Sequence, residues 1–366
     1  MGKISINNWK FEWVTRWEEV WAASFVSGWK GWLNQSPDPH VFFEPSLVKA
    51  WFDTYAELRD ISPRFLIATY TSGTVIFYPL VSDRCGWKDA WLRILRPVGF
   101  TEFDYHDPIV AGDFSDSCFK SFWEALKIEL SKPDIAVDVV LIPRIREQAV
   151  KGHDGFYEAN RAPFLNLSNF ESYDVLVSTL HKQLRQELRR QPRRLSALGK
   201  LEFYVLNRGE TSIAMEMLPQ FLETHSARWP QAYKPRNFYK NLIQHCLPEG
   251  ILHISILKSC GNAISWHIGF LYKKRFYYYV SSFDQRMATY SPGKLHLAKL
   301  IEEAIHDDVE IFDFLTGQES YKLEWANGSI QLFEQMQNMQ GIGAWFRSGC
   351  QKLVRNTARF VLSYHR

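Results

Sequence analysis

Short runs of β-branched and aromatic residues alternate with turn residues between positions 65 and 110. The runs FLIATY, TVIFYPLVS and WLRILRPVG follow one another, with the turn TSG between the first two. Strands joined by a short turn pair in antiparallel fashion, so this pattern predicts an antiparallel start to a sheet. A segment with apolar residues at helical spacing, SDSCFKSFWEALKIELSK, and the apolar run DVVLIPRI follow. The first half therefore reads β-β-β-α-β.

The second half opens with a helical pattern and then returns to alternating strands and helices. Leu180, Leu184 and Leu188 form one stripe in STLHKQLRQELRR, which is typical of an amphipathic helix. Because proline is poorly tolerated inside a helix, Pro192 leads us to expect that this helix ends or kinks near Arg190. The later predicted elements are the strands KLEFYVLN, ILHISILKSCG, AISWHIGFLYKK, RFYYYVSSF and EIFDFLTG and the helices IAMEMLPQFLETHSARW, NFYKNLIQHC and about Lys294 to His306.

Length and composition indicate a globular protein of two domains. The chain has 366 residues, 46% of them hydrophobic and 23% charged, which exceeds the usual size of one domain. We predict an α/β (α+β) fold of two tandem units, each a mixed, largely antiparallel sheet flanked by helices. The predicted units cover residues 1–165 and 166–340, and residues 341–366 form a basic amphipathic C-terminal helix. That helix is expected to pack on the protein or to contact a membrane surface.

Charge and cysteine content exclude several classes of function. A net charge of +3 over the whole chain does not indicate a nucleic-acid binder. The five cysteines are scattered, and none lies at metal-ligand spacing, so we expect reduced thiols and no metal. Polar residues interrupt every apolar run of the N-terminal segment, so neither a signal peptide nor a spanning helix is predicted. We therefore expect a cytoplasmic protein.

The most informative local pattern is the strand-turn-helix junction FDQRMATYSPGKLHLAKLIEEAI, residues 283–305. A helix N-terminus presents unpaired backbone N–H groups and the positive end of the helix dipole, which suit a phosphate. Gly293 permits a close approach of the backbone, and Pro292 fixes the turn. An ordinary helix start would look similar. The donor-binding residues predicted here are Tyr290, Ser291, Pro292, Gly293 and Lys294.

The same region resembles a known family. The sequence YYYVSSFDQRMATYSPGKLHLAKLIEEAIHDDVEIFDFLTGQESYKLEWA resembles the CelD-like (cellulose-biosynthesis-type) GNAT acyltransferases, as do LRQELRRQPRRLSALGKLEF, ETHSARW and DYHDPIV. The resemblance extends from about Phe42 to Trp325 and is most specific from Phe283 onward. This family is similar to the FemABX aminoacyl transferases, which have two GNAT-like domains. The resemblance implies acetyl-CoA or another acyl-CoA as donor; the single glycine of the turn keeps an aminoacyl-tRNA donor open.

Acyl transfer to an amine requires a base, a stabilised oxyanion and a proton for the leaving group. Asp313, in an apolar strand, and His225 are the candidates for the base. Lys322 would stabilise developing negative charge, and Tyr321 would return a proton to the leaving group. Each residue type also has an ordinary structural role, as a buried hydrogen-bonded carboxylate, a structural histidine, a solvated lysine or a packed tyrosine.

A second set of residues is predicted to bind substrate. Arg228 and Trp229 would hold a phosphate or carboxylate and stack on a sugar. Asp284 follows a strand directly and could also act as a base, whereas Tyr105 lies in a loop that we expect to face a cleft. Arg189 represents a basic run that either forms a solvated face or contacts an anionic substrate. The run consists of Lys182, Arg185, Arg189, Arg190, Arg193 and Arg194.

Three functions remain open from the sequence. The first is transfer of an acyl group from acyl-CoA to the amine of an amino sugar or related acceptor in polysaccharide biosynthesis. The second is FemABX-like, tRNA-dependent aminoacyl transfer, which the basic run and the two-unit layout motivate. The third is a non-catalytic scaffold that binds polysaccharide-synthesis proteins, motivated by the aromatic content and the amphipathic tail.

Overall fold

The computed structural model describes residues 8–86, 91–112, 116–132, 135–151, 153–230, 235–339 and 350. The chain divides into two compact units, Met1–Ala159 with Gln331–Arg366, and Asn160–Ile330. The first unit therefore includes residues from beyond position 330. A single division of the chain near residue 165 does not reproduce the two units. Apart from Cys350, the predicted C-terminal helix over residues 341–366 lies outside the described residues.

The first unit contains a mixed sheet with helices. Its strands are β1 Trp9–Val14, β2 Asp60–Tyr70, β3 Val75–Arg84, β4 Arg93–Pro97, β5 Ile109–Ala111, β6 Val139–Arg146 and the part of β13 Gly328–Asn338 from Gln331. Neighbouring strands run antiparallel except β4 and β6. Its helices are α1 Trp17–Val20, α2 Ala23–Gln35, α3 Pro45–Tyr55 and α4 Asp116–Glu129. Helices α1 to α3 were not predicted; Trp29 and Leu33, one turn apart on α2, are fully buried.

The second unit has the spatial strand order β7-β12-β11-β10-β9-β8. The strands are β7 Tyr157–Asn166, of which the part from Asn160 belongs here, β8 Leu201–Val205, β9 Leu252–Ser259, β10 Asn262–Tyr272, β11 Arg275–Phe283 and β12 Ile311–Asp313. Among these neighbouring pairs only β11 and β12 run parallel. The helices are α5 Tyr173–Thr179, α6 Lys182–Ser196, α7 Thr211–Arg228, α8 Arg236–Cys246, α9 Pro292–His306 and α10 Ser320–Leu323. The mixed, largely antiparallel α/β architecture predicted from the sequence is confirmed.

Of the two predicted alternatives for helix α6, an end near Arg190 was wrong, whereas a kink there stays a prediction. Helix α6 passes through Pro192 and continues to Ser196 instead of ending near Arg190. Leu184 and Leu195 are both buried, three turns apart on one face of α6. Burial of this face stabilises the last turn of the helix despite the hydrogen bond that proline removes.

An aromatic stack holds the central strands of the second unit together. The rings of Phe276 on β11 and Phe312 on β12 stack with centroids 4.7 Å apart, and His267 on β10 stacks on Tyr278 at 4.6 Å. Phe276 and Tyr278 belong to a core that includes Leu297 and other residues of α9, so this helix covers the same face of the sheet. In the described part of the chain, no helix is long and apolar enough to cross a membrane.

Candidate functional site

Strands β11 and β12 are paired over only three residues and then separate. Their parallel register joins Arg275–Tyr277 to Ile311–Asp313, where β12 ends. Strand β11 continues to Phe283, and its other edge remains paired with β10 to that point. The left-handed backbone of Leu315 (φ 60°) interrupts extended structure after β12. Residues 278–283 consequently have no β12 partner, so backbone groups on that edge can bind another molecule.

The turn after β11 leads directly into the N-terminus of α9. Asp284 accepts a hydrogen bond from the backbone N–H of Arg286 (2.9 Å) and caps the 3₁₀ turn Gln285–Tyr290. Ser291 has a left-handed backbone (φ 52°, ψ 48°), and Pro292 occupies the first position of α9. The side chain of Ser291 makes no capping hydrogen bond, and the backbone N–H groups of Lys294 and Leu295 donate to the carbonyl of Ser291. The N–H of Gly293 is left for an anion in this turn, and anion binding at the Ser-Pro-Gly junction stays a prediction.

The first turn of α9 packs closely on the end of β11. A β-carbon at Gly293 would lie 3.2 Å from Cδ1 of Phe283, which is tighter than an ordinary contact. The ammonium of Lys294 lies 2.9 Å from a carboxylate oxygen of Glu187 and 3.1 Å from one of Glu324. A side chain at position 293 would therefore press on the ring of Phe283. The charge of Lys294 is already paired with two carboxylates.

Helix α6 lies beside the same turn. Arg194 donates a hydrogen bond to the carbonyl of Thr289 (3.0 Å), and its guanidinium carbon lies 4.9 Å from the ring centroid of Tyr290. Gln191 donates to the hydroxyl of Ser291 at 3.5 Å. The basic run and the Ser-Pro-Gly turn, which are far apart in sequence, are therefore neighbours in the fold.

The arginines of α6 line a groove of about 720 Å³. Arg189, Arg190, Arg193 and Arg194 contribute its positive charge. Glu187 is the one acidic residue of the lining, and it is paired with Lys294 (2.9 Å). The groove therefore suits an anionic ligand. We name it the α6 groove.

Arg228, the last residue of α7, lies among aromatic side chains. Its guanidinium carbon is 4.3 Å from the ring centroid of Phe283 and 5.2 Å from that of Trp229. The nearby phenols of Tyr278 and Tyr321 interact with it electrostatically, and burial lowers the pKa of Arg228. Within the described residues no carboxylate forms an ion pair with it. A half-buried guanidinium in this setting can bind a carboxylate or phosphate.

Two tyrosines lie close together where β11 and β12 separate. The rings of Tyr278 and Tyr321 lie 6.4 Å apart. Burial raises the pKa of Tyr278 to about 12 and raises the pKa of Tyr321 further, with Tyr278 adding to the effect. Both phenols therefore keep their protons at neutral pH. Tyr278 was not among the predicted site residues. It lies directly after the last paired residue of β11, and the sequence alone does not show where that pairing ends.

Asp313 and Lys322 hold the segment that follows β12. Arg275 donates to one carboxylate oxygen of the fully buried Asp313 (3.0 Å), and the backbone N–H of Leu315 donates to the other (2.9 Å). Lys322, also buried, donates to the carbonyl of Thr316 (2.7 Å). The arrangement favours the structural roles considered for both residues, although a part in catalysis stays a prediction.

The other predicted residues of this unit are close to Arg228 or to the turn. His225 is buried on α7 one turn before Arg228, and its ring centroid lies 5.7 Å from that of Phe221. Asp284 forms an ion pair with Arg286 (2.7 Å), and this hydrogen-bonded contact lowers the pKa of Asp284. His225 therefore remains compatible with a base near the site, whereas Asp284 is engaged at the turn.

Tyr105 lies in the first unit and is fully buried. Its ring packs against Phe42 (centroids 5.7 Å apart), and the guanidinium carbon of Arg146 lies 5.5 Å from its centroid. Arg146 is in turn ion-paired with Asp107 (2.6 Å). These contacts make Tyr105 a core residue. Its burial does not support the prediction that it contacts substrate. Among the described residues, no cluster of His, Cys, Asp or Glu could hold a metal ion.

Comparison with known proteins shows which proteins this unit resembles. Residues 182–323 match the family model described as Acetyltransferase (GNAT) domain. No curated protein sequence matches the chain. A crystal structure of FemX has a TM-score of 0.61 at 8% identity, with coverage of 86% of this chain and 96% of that one. The C-terminal DUF2156 domain of a candidate lysylphosphatidylglycerol synthetase from Agrobacterium fabrum has a TM-score of 0.51 at 13% identity, with coverage of 86% and 92%.

At such identities the structural similarity concerns the fold alone. The family match covers most of the second unit, including the β11–β12 splay, the turn and α9. The narrower resemblance to the CelD-like group stays a prediction. Residues 182–323 are therefore similar to GNAT acetyltransferase domains, and the fold of the chain is similar to that of FemX.

Proposed function

We propose that the second unit transfers an acyl group from acyl-CoA to the amine of an amino sugar or a related acceptor. The observation that supports this proposal is the junction where β11 separates from β12. The edge of β11 that lacks a β12 partner leads to the N-terminus of α9, where the side chain of Ser291 makes no cap. An extended donor can bind along the edge of β11 while its pyrophosphate meets the backbone N–H groups of α9.

The surroundings of the turn fit a donor with several phosphates. Gly293 lies so close to Phe283 that a side chain there would disturb the approach of α9 to β11. The α6 groove contains four arginines, and one of them, Arg194, lies against Tyr290 of the turn. Backbone donors and guanidinium groups together match the charge of coenzyme A phosphates.

Residues near the point where β11 and β12 separate supply the chemistry that acyl transfer requires. Backbone N–H groups on the free edge of β11 can hold the developing oxyanion. Tyr321, protonated at neutral pH, donates its proton to the leaving thiolate, and Tyr278 lies beside it as a second donor. His225 is our candidate for the base that receives the proton of the amine. Asp313 is the weaker candidate because Arg275 already neutralises its charge.

Calorimetric titration with acetyl-CoA, free coenzyme A and longer acyl-CoA forms tests the donor. The wild type should bind, Gly293→Val should not, and Arg190→Gln combined with Arg193→Gln should bind about 10-fold or more weakly, with a smaller dependence on salt. Lys200→Gln is a control that removes one positive charge outside the groove, at an exposed lysine paired with Glu202. Failure of the wild type to bind any coenzyme A species would refute the donor assignment.

Aminoacyl-tRNA is the second candidate donor, and the four arginines of the α6 groove are the observation that favours it. Phosphate contacts of this kind would make binding strongly salt-dependent. Charged tRNA that binds the wild type and loses affinity in the double arginine variant would favour this function, provided that acyl-CoA does not bind.

We place the reaction in polysaccharide biosynthesis as a proposal that rests on the sequence resemblance. Contacts with polysaccharide-synthesis proteins, or with a membrane through residues 341–366, belong to the same proposal. A scaffold without catalysis remains its alternative. Co-purification with such partners that persists in a Tyr321→Phe variant, combined with an absence of acyl transfer by the wild type, would favour the scaffold.

A further inference from the structure

A second groove of about 780 Å³ lies in the same unit, between α7 and the β9–β10 hairpin. Ile213 and Met217 of α7 line one side, and Ile256 and Ile264 of the two strands line the other. We name it the α7 groove. Of the predicted site residues, only Asp284 lines the α7 groove.

Two buried polar groups in the lining of the α7 groove have no hydrogen-bond partner in the part of the chain that the structure describes. Trp266 is 1% exposed and Ser259 is 5% exposed. Neither the indole N–H of Trp266 nor the hydroxyl of Ser259 has a hydrogen-bond partner among the described residues. Buried donors are nearly always satisfied in folded proteins, because an unpaired one costs free energy. Both residues line the groove, and a ligand that carries hydrogen-bond acceptors can satisfy them once their side chains shift, because neither polar atom is exposed to solvent.

The charges of the α7 groove balance one another. Asp284 and Arg286 form an ion pair at 2.7 Å. Glu216 and Lys258 add one charge of each sign to the lining. The formal sum is zero, in contrast to the arginine-rich α6 groove. Electrostatic complementarity therefore favours a neutral or weakly charged ligand here and leaves the anionic donor to the α6 groove.

The remaining lining residues indicate the shape of that ligand. Apolar side chains form one part of the surface, whereas the amides of Gln220 and Asn262 lie at the exposed rim. A sugar ring matches this combination, since it presents C–H groups on its faces and hydroxyl groups around its edge. Indole N–H, hydroxyl and amide groups can each pair with such hydroxyls.

The α7 groove also adjoins the proposed donor site. Met287, which lines the groove, and Tyr290 of the donor turn pack on one small core formed with Ile264 and Leu295. The 3₁₀ turn Gln285–Tyr290 is thus shared by both places. We propose that the α7 groove binds the sugar ring of the acceptor. This inference rests on the proposed acyltransferase function.

Saturation-transfer NMR with glucosamine, N-acetylglucosamine and a uridine-diphosphate-linked N-acetylglucosamine tests the site. Sorbitol, which has hydroxyl groups but no ring, is the matched control ligand. Ile213 is 43% exposed, so Ile213→Arg should fill the groove without loss of fold. Ser212→Arg places the same charge on the neighbouring exposed residue of α7, outside the lining. Trp266→Phe removes the N–H but keeps an aromatic ring.

At least one of the three sugars should bind the wild type and Ser212→Arg equally. Its Kd should rise about 10-fold or more in Ile213→Arg and about 2- to 10-fold in Trp266→Phe, the effect of one lost hydrogen bond. Binding should also slow alkylation of the exposed Cys260, which lines the groove.

Two results would overturn the inference. One is the absence of binding by every ring sugar, and the other is binding that Ile213→Arg leaves unchanged. A parallel titration with acetyl-CoA separates this inference from the donor assignment. Donor binding without groove-dependent sugar binding refutes only the acceptor site, whereas sugar binding that depends on the groove without donor binding refutes only the donor.

Discussion

Replacement of His267 by phenylalanine should stabilise the protein, most of all in mild acid. The imidazole of His267 is fully buried and stacks between Phe276 (5.5 Å) and Tyr278 (4.6 Å). Neither ring nitrogen has a hydrogen-bond partner among the described residues. Burial, with small additions from His253 and His296, lowers the pKa of His267 well below its ordinary value of 6.5.

The expected magnitude follows from these contacts. An unpaired buried polar group costs about 1–3 kcal/mol, and the larger phenyl ring costs about 1–3 kcal/mol in packing. With two unpaired nitrogens, a net gain of about 1 kcal/mol or more is expected at pH 7.5. Below pH 6.5 the unfolded chain protonates this histidine and the folded chain does not, so stability falls with pH by about 1.4 kcal/mol per pH unit. The variant lacks this loss, and its advantage should be about 1.4 kcal/mol larger at pH 5.5 than at pH 7.5.

Urea unfolding followed by circular dichroism at pH 7.5, 6.5 and 5.5 measures both effects. His296→Phe is the matched control. Burial lowers the pKa of His296 to about 3, so its loss should flatten the acid limb by the same amount. Its ring nitrogens, however, lie 2.8 and 2.9 Å from the hydroxyls of Ser255 and Ser265, and their loss should cost about 1–3 kcal/mol at pH 7.5. Equal pH dependence in the wild type and both variants would refute the reasoning.

Three further variants test the site. Tyr321→Phe should lower kcat for acyl transfer by about 100-fold or more with little change in donor Kd, because the phenol proton is needed only at the leaving group. Tyr204→Phe, at an exposed tyrosine, is the control and should leave kcat unchanged. An unaltered kcat in Tyr321→Phe would exclude the acid role. Asp313→Asn should destabilise the fold by about 3–5 kcal/mol, because it leaves Arg275 without its buried partner; full stability with lost activity would instead restore Asp313 as the base. Arg228→Gln should lower kcat/KM by about 10- to 100-fold and have little effect on the thermal midpoint, if it binds an anionic substrate group through charge-assisted hydrogen bonds; a lowered midpoint with unchanged kinetics would make it structural.

Local patterns in the sequence predicted many of the elements that surround the site. The aromatic run of β11 spans Arg275–Phe283 as an extended strand, and α9 begins at Pro292, directly after the left-handed Ser291. Proline and the strand formers act through neighbouring residues, so their effect is visible in a short window. The basic run and the tyrosine at position 321 were also apparent as candidate chemistry.

Their environments could not be predicted in this way. Asp313 in an apolar strand was a reasonable base, but whether a buried carboxylate is free depends on a partner, here Arg275, 38 residues earlier. Tyr105 looked like a loop residue, but the core of the first unit buries it. The extension of α6 past Pro192 likewise depends on burial of Leu195, a tertiary contact that outweighs the local preference.

A two-unit α/β protein, most of its strands and helices, and a phosphate-compatible turn could all be inferred from the sequence, because periodicity and turn chemistry are short-range properties. The fold was needed to show that Arg194 contacts the turn at Thr289, 95 residues away, and that β11 extends beyond its pairing with β12. The fold also brings Trp266 and Ser259 to the lining of one groove. Contacts between distant segments depend on how whole surfaces pack, and no single stretch of the chain contains that information.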